Sequence, residues 1–213
     1  TPDLASHDAL ARKAATEGMV LLKNDNNTLP FNNRIGSIAT FGNATYNTQA
    51  GGSGSGYIHR SHTNTIYNAL CEAGYKTDRA LAERYTRYIA DQKSKLPTEN
   101  FWYIPFVSEM EVANRDIRRV ADKCDLALIT LGRMSGEGDD RHSGKGDYLL
   151  TDVEQSLVER VCEEFHKRGK KVVVVTNTGG VIDLSSWHTL PDAILIGWLA
   201  GQQVGGSVVD ILS

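Results

Sequence analysis

The sequence predicts an α/β fold, a three-layer sandwich in which helices cover both faces of a mainly parallel sheet. The first observation is a set of short, continuous apolar runs, which are typical of strands buried on both faces. They lie at residues 126–131, 172–176 and 193–197. The second is that segments with helical apolar spacing separate these runs, and strands that alternate with helices form parallel sheets.

The first half of the chain predicts a helix, a strand and two further helices. Apolar residues recur at helical spacing from His7 to Leu22, and four turn-forming residues from Asn24 to Asn27 end the pattern. Ile35 to Phe41 then predicts a strand. Residues 65–73 and 79–93 predict helices, the first of which ends at Gly74.

Helix-start signals organise the second half. Ser108 with Glu111 has the spacing of a capping box, which predicts a helix running through Val120. Thr151 with Glu154 has the same spacing and precedes a second apolar helix face. That helix is expected to stop at Gly169, and a last helix is expected to begin near Gln203.

Composition limits the classes of protein. A length of 213 residues fits one domain, residues 1–213, and a net charge of −3 gives no basic surface for nucleic acid or anionic membrane. No apolar run approaches the ~20 residues of a membrane helix. Cys71, Cys124 and Cys162 are far apart, which predicts buried free thiols rather than a disulfide framework or a zinc site. They favour a cytoplasmic location, with a periplasmic or secreted full-length protein as the alternative.

Two glycine-rich loops follow predicted strands, where ligands of parallel sheets usually bind. The first, Gly51 to Gly56, lacks the Lys of a phosphate-binding P-loop, because Tyr57 and then Ile58 follow its last glycine. It also lacks the third glycine of a dinucleotide fingerprint. Two interpretations stay open: a flexible surface turn, or a tight loop against a neutral ligand with Ser53 or Ser55 offering a hydroxyl group.

The second loop, residues 132–141, places Glu137 between two glycines directly after a buried strand. A lone loop Glu is usually a solvated charge, but this position and its neighbours of both signs favour a functional role. The spacing of the acidic residues does not fit a calcium-binding EF-hand. Asp139 and Asp140 are instead expected to pair with Arg133, Arg141 or Lys145 and so to hold the shape of the loop.

The stretch GRMSGEGDDR resembles the acid/base loop of glycoside hydrolase family 3, which reads Ser-Gly-Glu-Gly-x-Asp-Arg. Further stretches resemble the second domain of that family in the same order along the chain: EGMVLLKNDNNTLPF, GGSGSG, YLLTDVEQSLVERV, KKVVVVTNTGGVIDLSSW and DAILIGWLAGQQVGGSVVDIL. The resemblance therefore extends over nearly the whole sequence.

This resemblance implies a retaining, exo-acting β-glycosidase, first a β-glucosidase acting on terminal β-D-glucosyl residues. It implies Glu137 as general acid/base, and no cofactor or metal. The implied sugar contacts are Ser55, Ser53 and Gly54, and the implied loop supports are Ser135, Asp140 and Arg141. The substrate would be a β-linked glucoside or related oligosaccharide. A (β/α)8 barrel domain that carries the nucleophilic Asp is expected to be missing, and the second domain is expected to be truncated near its C-terminus.

Alternative functions stay open beside this one. They are a β-xylosidase, a non-catalytic carbohydrate-binding module of the same fold, and a flavodoxin-like phosphate binder, which the missing Lys and third glycine disfavour. Aromatic residues at 101, 102, 103 and 106 fit sugar stacking, but the favoured interpretation is core packing. His59 and His62 are expected at the surface rather than in a catalytic role.

Overall fold

A computed structural model describes residues 3–57, 62–138 and 141–213. In this part of the chain six strands form one sheet: β1 Val20–Asn24, β2 Ser37–Phe41, β3 Lys76–Thr77, β4 Leu126–Arg133, β5 Lys171–Thr178 and β6 Ala193–Ile196. The helices are α1 Leu4–Gly18, α2 Asn43–Tyr46, α3 Ile66–Glu72, α4 Arg79–Lys93, α5 Asn114–Lys123, α6 Asp152–His166 and α7 Val204–Leu212. None of them combines the length and apolar character needed to cross a membrane.

The sheet has the strand order β1-β6-β5-β4-β2-β3. Every neighbouring pair is parallel except β1 with β6, which is antiparallel. All eight residues of β4 are buried, as expected for a central strand covered on both faces. The prediction of a mainly parallel sheet is therefore confirmed.

Helices cover both faces, so the three-layer sandwich is confirmed as well. One apolar cluster joins α4, α5 and α6 to the face that carries Phe41 and Ile129. A second cluster joins α3 and α7 to the opposite face, through residues such as Leu128 and Val175. Helix α1 packs outside α7.

The predicted first helix is wrong at its C-terminal end. Helix α1 ends at Gly18, and Val20 to Asn24 form the edge strand β1, with Val20 opposite Ile196 of β6. Val-Leu-Leu suits a strand as well as a helix, so the helical spacing continued past the true end by coincidence. The predicted turn after it is confirmed, since Asn26 and Asn27 adopt positive φ angles.

The predicted capping box at Ser108 is also wrong, because α5 begins only at Asn114. The preceding residues have no regular secondary structure and their burial nearly alternates, with Val107 and Val112 buried and Ser108 exposed. The second predicted capping box is confirmed: the Glu154 backbone N–H donates to the Thr151 hydroxyl group at 3.2 Å, and its carboxylate accepts from the Thr151 N–H at 2.8 Å.

The predicted helices at 65–73 and 79–93 and the last helix after Gln203 are confirmed within one or two residues. The short elements α2 and β3 were not predicted. Cys124 and Cys162 are buried free thiols whose pKa burial raises to about 11 and about 12. Cys71 is also free but exposed, so the buried-thiol prediction is wrong there.

Candidate active site

The two glycine-rich loops meet because the strands that precede them are neighbours. Strands β2 and β4 are paired in parallel, with Phe41 opposite Ile129, so their carboxyl ends lie at the same edge of the sheet. Ser53 of the first loop forms a parallel bridge with Gly136 of the second. The Glu137 backbone N–H completes it by donating to the Ser53 carbonyl group at 3.3 Å.

Glycine makes this close approach possible. Gly54 has a φ of +64°, and a Cβ atom there would lie 2.4 Å from the Glu137 Cβ. A Cβ atom on Gly136 would lie 1.8 Å from the Ser53 hydroxyl oxygen. Side chains at either position would separate the loops, so the glycines bring Ser53, Gly54 and Glu137 together.

Glu137 is exposed, and its carboxylate is held by the first loop. The Ser55 backbone N–H donates to Glu137 Oε2 at 2.8 Å. This bond, with a second from the Ser55 side chain, lowers the pKa of Glu137 because both donors favour the charged form. The contacts within the described chain therefore favour the ionised form of Glu137, whereas a general acid has to be protonated when it acts.

Arg133, the last residue of β4, anchors the start and the return of the second loop. It is only 2% exposed and forms a bidentate pair with Glu154, at 2.6 and 2.8 Å. Its Nε also donates to the Asp147 carbonyl group at 2.8 Å. Its carboxylate partner therefore comes from α6, and no local pattern links positions 21 residues apart. Asp139 and Asp140, for which Arg133 was one of three predicted partners, lie outside the described residues.

The predicted loop supports occupy different surroundings. The Arg141 guanidinium hydrogen-bonds to the Asp147 carboxylate and, at 3.2 Å, to the Val181 carbonyl group. The Ser135 hydroxyl group packs against Gly179. A Cβ atom added to Gly179 would lie 1.7 Å from the Ser135 hydroxyl oxygen. Asp140, like Asp139, lies outside the described residues. Lys145 pairs with Asp152 of α6 at 2.6 Å.

Asn177, at the end of β5, is a buried contact that the sequence analysis missed. Its side chain accepts from the Gln49 N–H at 2.7 Å and donates to the Gln49 carbonyl group at 2.9 Å. It also donates to the Trp198 carbonyl group at 2.7 Å. Asn177 thereby ties the segment after β2 to the segment after β6. The Asn-Thr-Gly-Gly sequence that ends a buried strand was the available signal.

A second missed group is Glu109, which lies near Gly132 at the start of the second loop. Its Oε2 accepts from the Asn43 backbone N–H at 2.8 Å, while its Oε1 and the Asn43 Oδ1 are buried without a hydrogen-bond partner in the described chain. Burial raises the pKa of Glu109 to about 8, despite the Asn43 hydrogen bond. The adjoining cavity measures about 10 Å³, close to the space that one water molecule requires.

The aromatic segment 101–106 is not core. Phe101 and Trp102 are 44% and 66% exposed, and Phe106 is 36% exposed, so the core interpretation is wrong for these three. The Gly54 N–H donates to the Phe101 carbonyl group at 2.7 Å, which places the segment beside the Glu137 loop. His62 is exposed, and His59 lies outside the described residues.

Metal-ligating residues do not gather in the part of the chain that is described: no three His, Cys, Asp or Glu side chains there could hold one ion. The described residues of the two loops therefore present one exposed carboxylate, Glu137, with a hydroxyl group and several backbone groups around it. Such a set can exchange a proton with a neutral polar ligand, and hydrogen-bond to it.

Comparisons with known proteins agree on one family. The sequence profile described as the glycosyl hydrolase family 3 C-terminal domain matches residues 19–213. Beta-glucosidase A of Butyrivibrio fibrisolvens is 31% identical over 97% of this chain, and an exo-alpha-(1->6)-L-arabinopyranosidase of Bifidobacterium longum is 28% identical over 99%. The structure of beta-glucosidase 3B from Thermotoga neapolitana in complex with alpha-D-glucose superposes with a TM-score of 0.91, at 38% identity over the whole chain.

The chain is much shorter than these proteins. It covers 27% of the Butyrivibrio protein, 26% of the Bifidobacterium protein and 30% of the Thermotoga chain. The similarity therefore concerns one part of longer molecules.

Proposed function

The chain belongs to glycoside hydrolase family 3, and we propose that it supplies the general acid/base, Glu137, of a retaining, exo-acting β-glucosidase. The observation that carries the proposal is the junction between the two loops. Glu137 is exposed at the carboxyl edge of the sheet, and its backbone and its carboxylate are both bonded to the Gly/Ser loop. Relatives named as β-glucosidases support the choice of substrate class.

Retaining hydrolysis needs two carboxyl groups about 5–5.5 Å apart across the glycosidic bond. One attacks the anomeric carbon, and the other protonates the leaving oxygen and then takes a proton from the water that attacks the intermediate. We assign the second role to Glu137. The nucleophile belongs to the remainder of the protein, which we propose to be a (β/α)8 barrel domain.

The lowered pKa of Glu137 suits one of its two roles, that of the base. Hydrogen bonds from Ser55 favour the carboxylate, which is the form needed when water is activated. The protonated form requires an influence of opposite sign, either burial or a second carboxylate nearby. We propose that the docked barrel domain supplies both, so that Glu137 can act as an acid only in the full-length protein.

Ser53, Gly54 and Ser55 are proposed to contact the sugar, because they line the same edge as Glu137 and offer a hydroxyl group or a backbone group there. Ser135 and Arg141 are proposed to keep the Glu137 loop in place from below, through Gly179 and Asp147. Asp140 keeps the supporting role that the motif implies for it.

A comparison of two variants of the full-length protein tests the proposal. Glu137→Gln removes the proton donor, so kcat/KM for a methyl β-glucoside should fall on the order of 10²–10⁴-fold. A 2,4-dinitrophenyl glucoside needs little protonation and should still form the covalent intermediate in a pre-steady-state burst. Glu111→Gln, an exposed control, should match the unmodified protein with both substrates. Equal losses with both substrates, and no burst, would refute the assignment.

A further inference from the structure

The end of strand β5 lies beside both loops of the candidate site. In the pairing of β5 with β4, Asn177 is opposite Gly132, the first residue of the Glu137 loop. Two residues later, Gly179 packs against Ser135 of the same loop. Asn177 itself is 1% exposed, and its side chain bonds to the segments that follow β2 and β6. One short stretch of chain therefore contacts the Glu137 loop and the approach to the Gly/Ser loop, residues 51–56.

Asn177 fixes the backbone just before the Gly/Ser loop. Its amide oxygen accepts from the Gln49 N–H at 2.7 Å, and its amide nitrogen donates to the carbonyl groups of Gln49 and Trp198, at 2.9 and 2.7 Å. Gln49 is buried and lies outside the helices and strands, so these bonds replace the partners that a strand would give it. An ionised aspartate has a similar shape but no hydrogen to donate, so the two carbonyl groups require an amide here.

The segment on the other side of this contact is held in an uncommon conformation. Trp198 has a φ of +54°, which a bulky residue adopts only where its surroundings impose it. Its indole N–H donates to the Gly18 carbonyl group at 3.1 Å. Three residues later, the Gly201 N–H donates to the Ala50 carbonyl group at 2.9 Å. Residues 49 and 50 are therefore bound from two sides, by the end of β5 and by the segment after β6.

The Gly/Ser loop that follows depends on such bonds for its position. Four of its six residues are glycine, so it has only two hydroxyl groups with which to pack against its neighbours. Its own contacts are single bonds, such as the one from the Gly54 N–H to the Phe101 carbonyl group. The Ser55 N–H nevertheless has to come within 2.8 Å of the Glu137 carboxylate. Release of the backbone at Gln49 would allow this distance to increase.

We propose that Asn177 is a positioning residue for Glu137, because it holds the Gly/Ser loop where Ser55 can donate to the Glu137 carboxylate. The inference rests on the proposed role of Glu137. Asn177 is buried, so it acts indirectly, through Gln49 and the loop. Without it the Glu137 side chain would be free to turn, and proton transfer to the leaving oxygen depends on the direction in which the carboxyl group points.

The test is a double-mutant cycle in the full-length protein with methyl β-glucoside as substrate. Asn177→Ala should lower kcat/KM about 10- to 100-fold, as expected when a catalytic group is misplaced by up to about 1 Å. In a Glu137→Gln background the same substitution should lower kcat/KM less than about threefold, because the group that it positions has already been removed.

Asn24→Ala is the matched control. The Asn24 side chain exchanges the same two hydrogen bonds with the Leu29 backbone, both at 2.9 Å. Asn24 is opposite Ala193, the first residue of β6, and therefore lies at the other edge of the sheet. This variant should lower Tm and change kcat/KM less than about twofold.

The pH profile of kcat/KM separates positioning from a loss of folded protein. Hydrogen bonds from Ser55 lower the pKa of Glu137, and among the described residues no charged group contributes to that shift. Moving the Gly/Ser loop away should therefore raise the pKa of Glu137. The alkaline limb reports the acid of the free enzyme, so it should move to higher pH in Asn177→Ala and stay in place in Asn24→Ala. A smaller folded fraction lowers the whole profile without moving that limb.

The outcomes separate this inference from the proposed function. Equal losses in the two backgrounds, or an alkaline limb that does not move, would mean that Asn177 only stabilises the fold, and would overturn the inference. Glu137→Gln alone would still slow the methyl glucoside in that case; if it does not, the proposed function itself fails. Should Asn177→Ala not fold, Asn177→Ser keeps a hydroxyl group for one of the three bonds, and the same non-additive loss is expected of it at a smaller size.

Discussion

The proposed chemistry depends on the contact between Ser55 and Glu137. The Ser55 backbone N–H, and then its side chain, lower the pKa of Glu137 in this chain. Ser55→Ala removes the hydroxyl group and leaves the backbone bond in place. We therefore expect the pKa of Glu137 to rise part of the way towards that of a free glutamate. Carbon-detected NMR titration of the isolated chain measures this, and an unchanged or lower pKa would contradict the assigned contact.

Glu109 should make the stability of the chain depend on pH between about pH 4.5 and 8. Burial raises its pKa from 4.5 to about 8, so folding favours the protonated form. The contribution of protonated Glu109 to the free energy of unfolding is complete below about pH 4.5 and is lost as the pH rises through about 8. Its slope is at most about 1.4 kcal/mol per pH unit.

Glu109→Gln keeps a neutral group of the same shape at every pH. Urea unfolding should therefore show the unmodified chain losing stability relative to this variant between about pH 4.5 and 8, and no further above that range. Glu111→Gln, at an exposed neighbouring position, serves as the control. Parallel stability curves for the Glu109 variant and the unmodified chain would show that Glu109 is ionised in the folded state.

The buried ion pair between Arg133 and Glu154 joins β4 to α6. Arg133→Met leaves a carboxylate buried without its cation, and we expect a loss of about 3–5 kcal/mol in the free energy of unfolding. Lys167→Met breaks an exposed pair with Glu163 and should cost at most about 1 kcal/mol. Urea unfolding at one pH compares them. Similar losses would mean that water reaches the Arg133 site.

Sequence patterns predicted the elements whose signals are local. The strands β4 and β5 are continuous apolar runs, and the Thr151 capping box lies within four residues. The boundary at Gly18 could not be predicted, because β1 depends on pairing with a strand about 175 residues later. The false capping box at Ser108 fails for a similar reason: the following Glu109 is bound to the distant Asn43, and the segment has no regular secondary structure.

The candidate site was predictable in part. The two loops and Glu137 were evident from glycine spacing and from the position of each loop after a strand. Their contact through Ser53 and Gly136 required the order of β2 and β4 in the sheet, which sequence alone does not fix. The exposure of Trp102 was predicted wrongly, since an aromatic cluster has the same composition in a core and in a binding surface.

We propose that the active site is divided between this chain and the remainder of the protein. The isolated chain has a candidate acid/base and no assigned nucleophile, so it should hydrolyse neither aryl β-glucosides nor aryl β-xylosides. Assays at high protein concentration, beside Glu137→Gln prepared in the same way, test this. Turnover clearly above that of the variant would show that the described chain needs no second domain.

The identity of the acid/base is tested most directly by chemical rescue in the full-length protein. With Glu137→Ala, an activated aryl glucoside should still form the covalent intermediate, but its hydrolysis should slow on the order of 10²–10⁴-fold because water has lost its base. Azide needs no deprotonation, so it should restore turnover and yield the β-glucosyl azide. If azide restores nothing and no β-glucosyl azide forms, Glu137 is a structural residue of its loop and the central assignment is wrong.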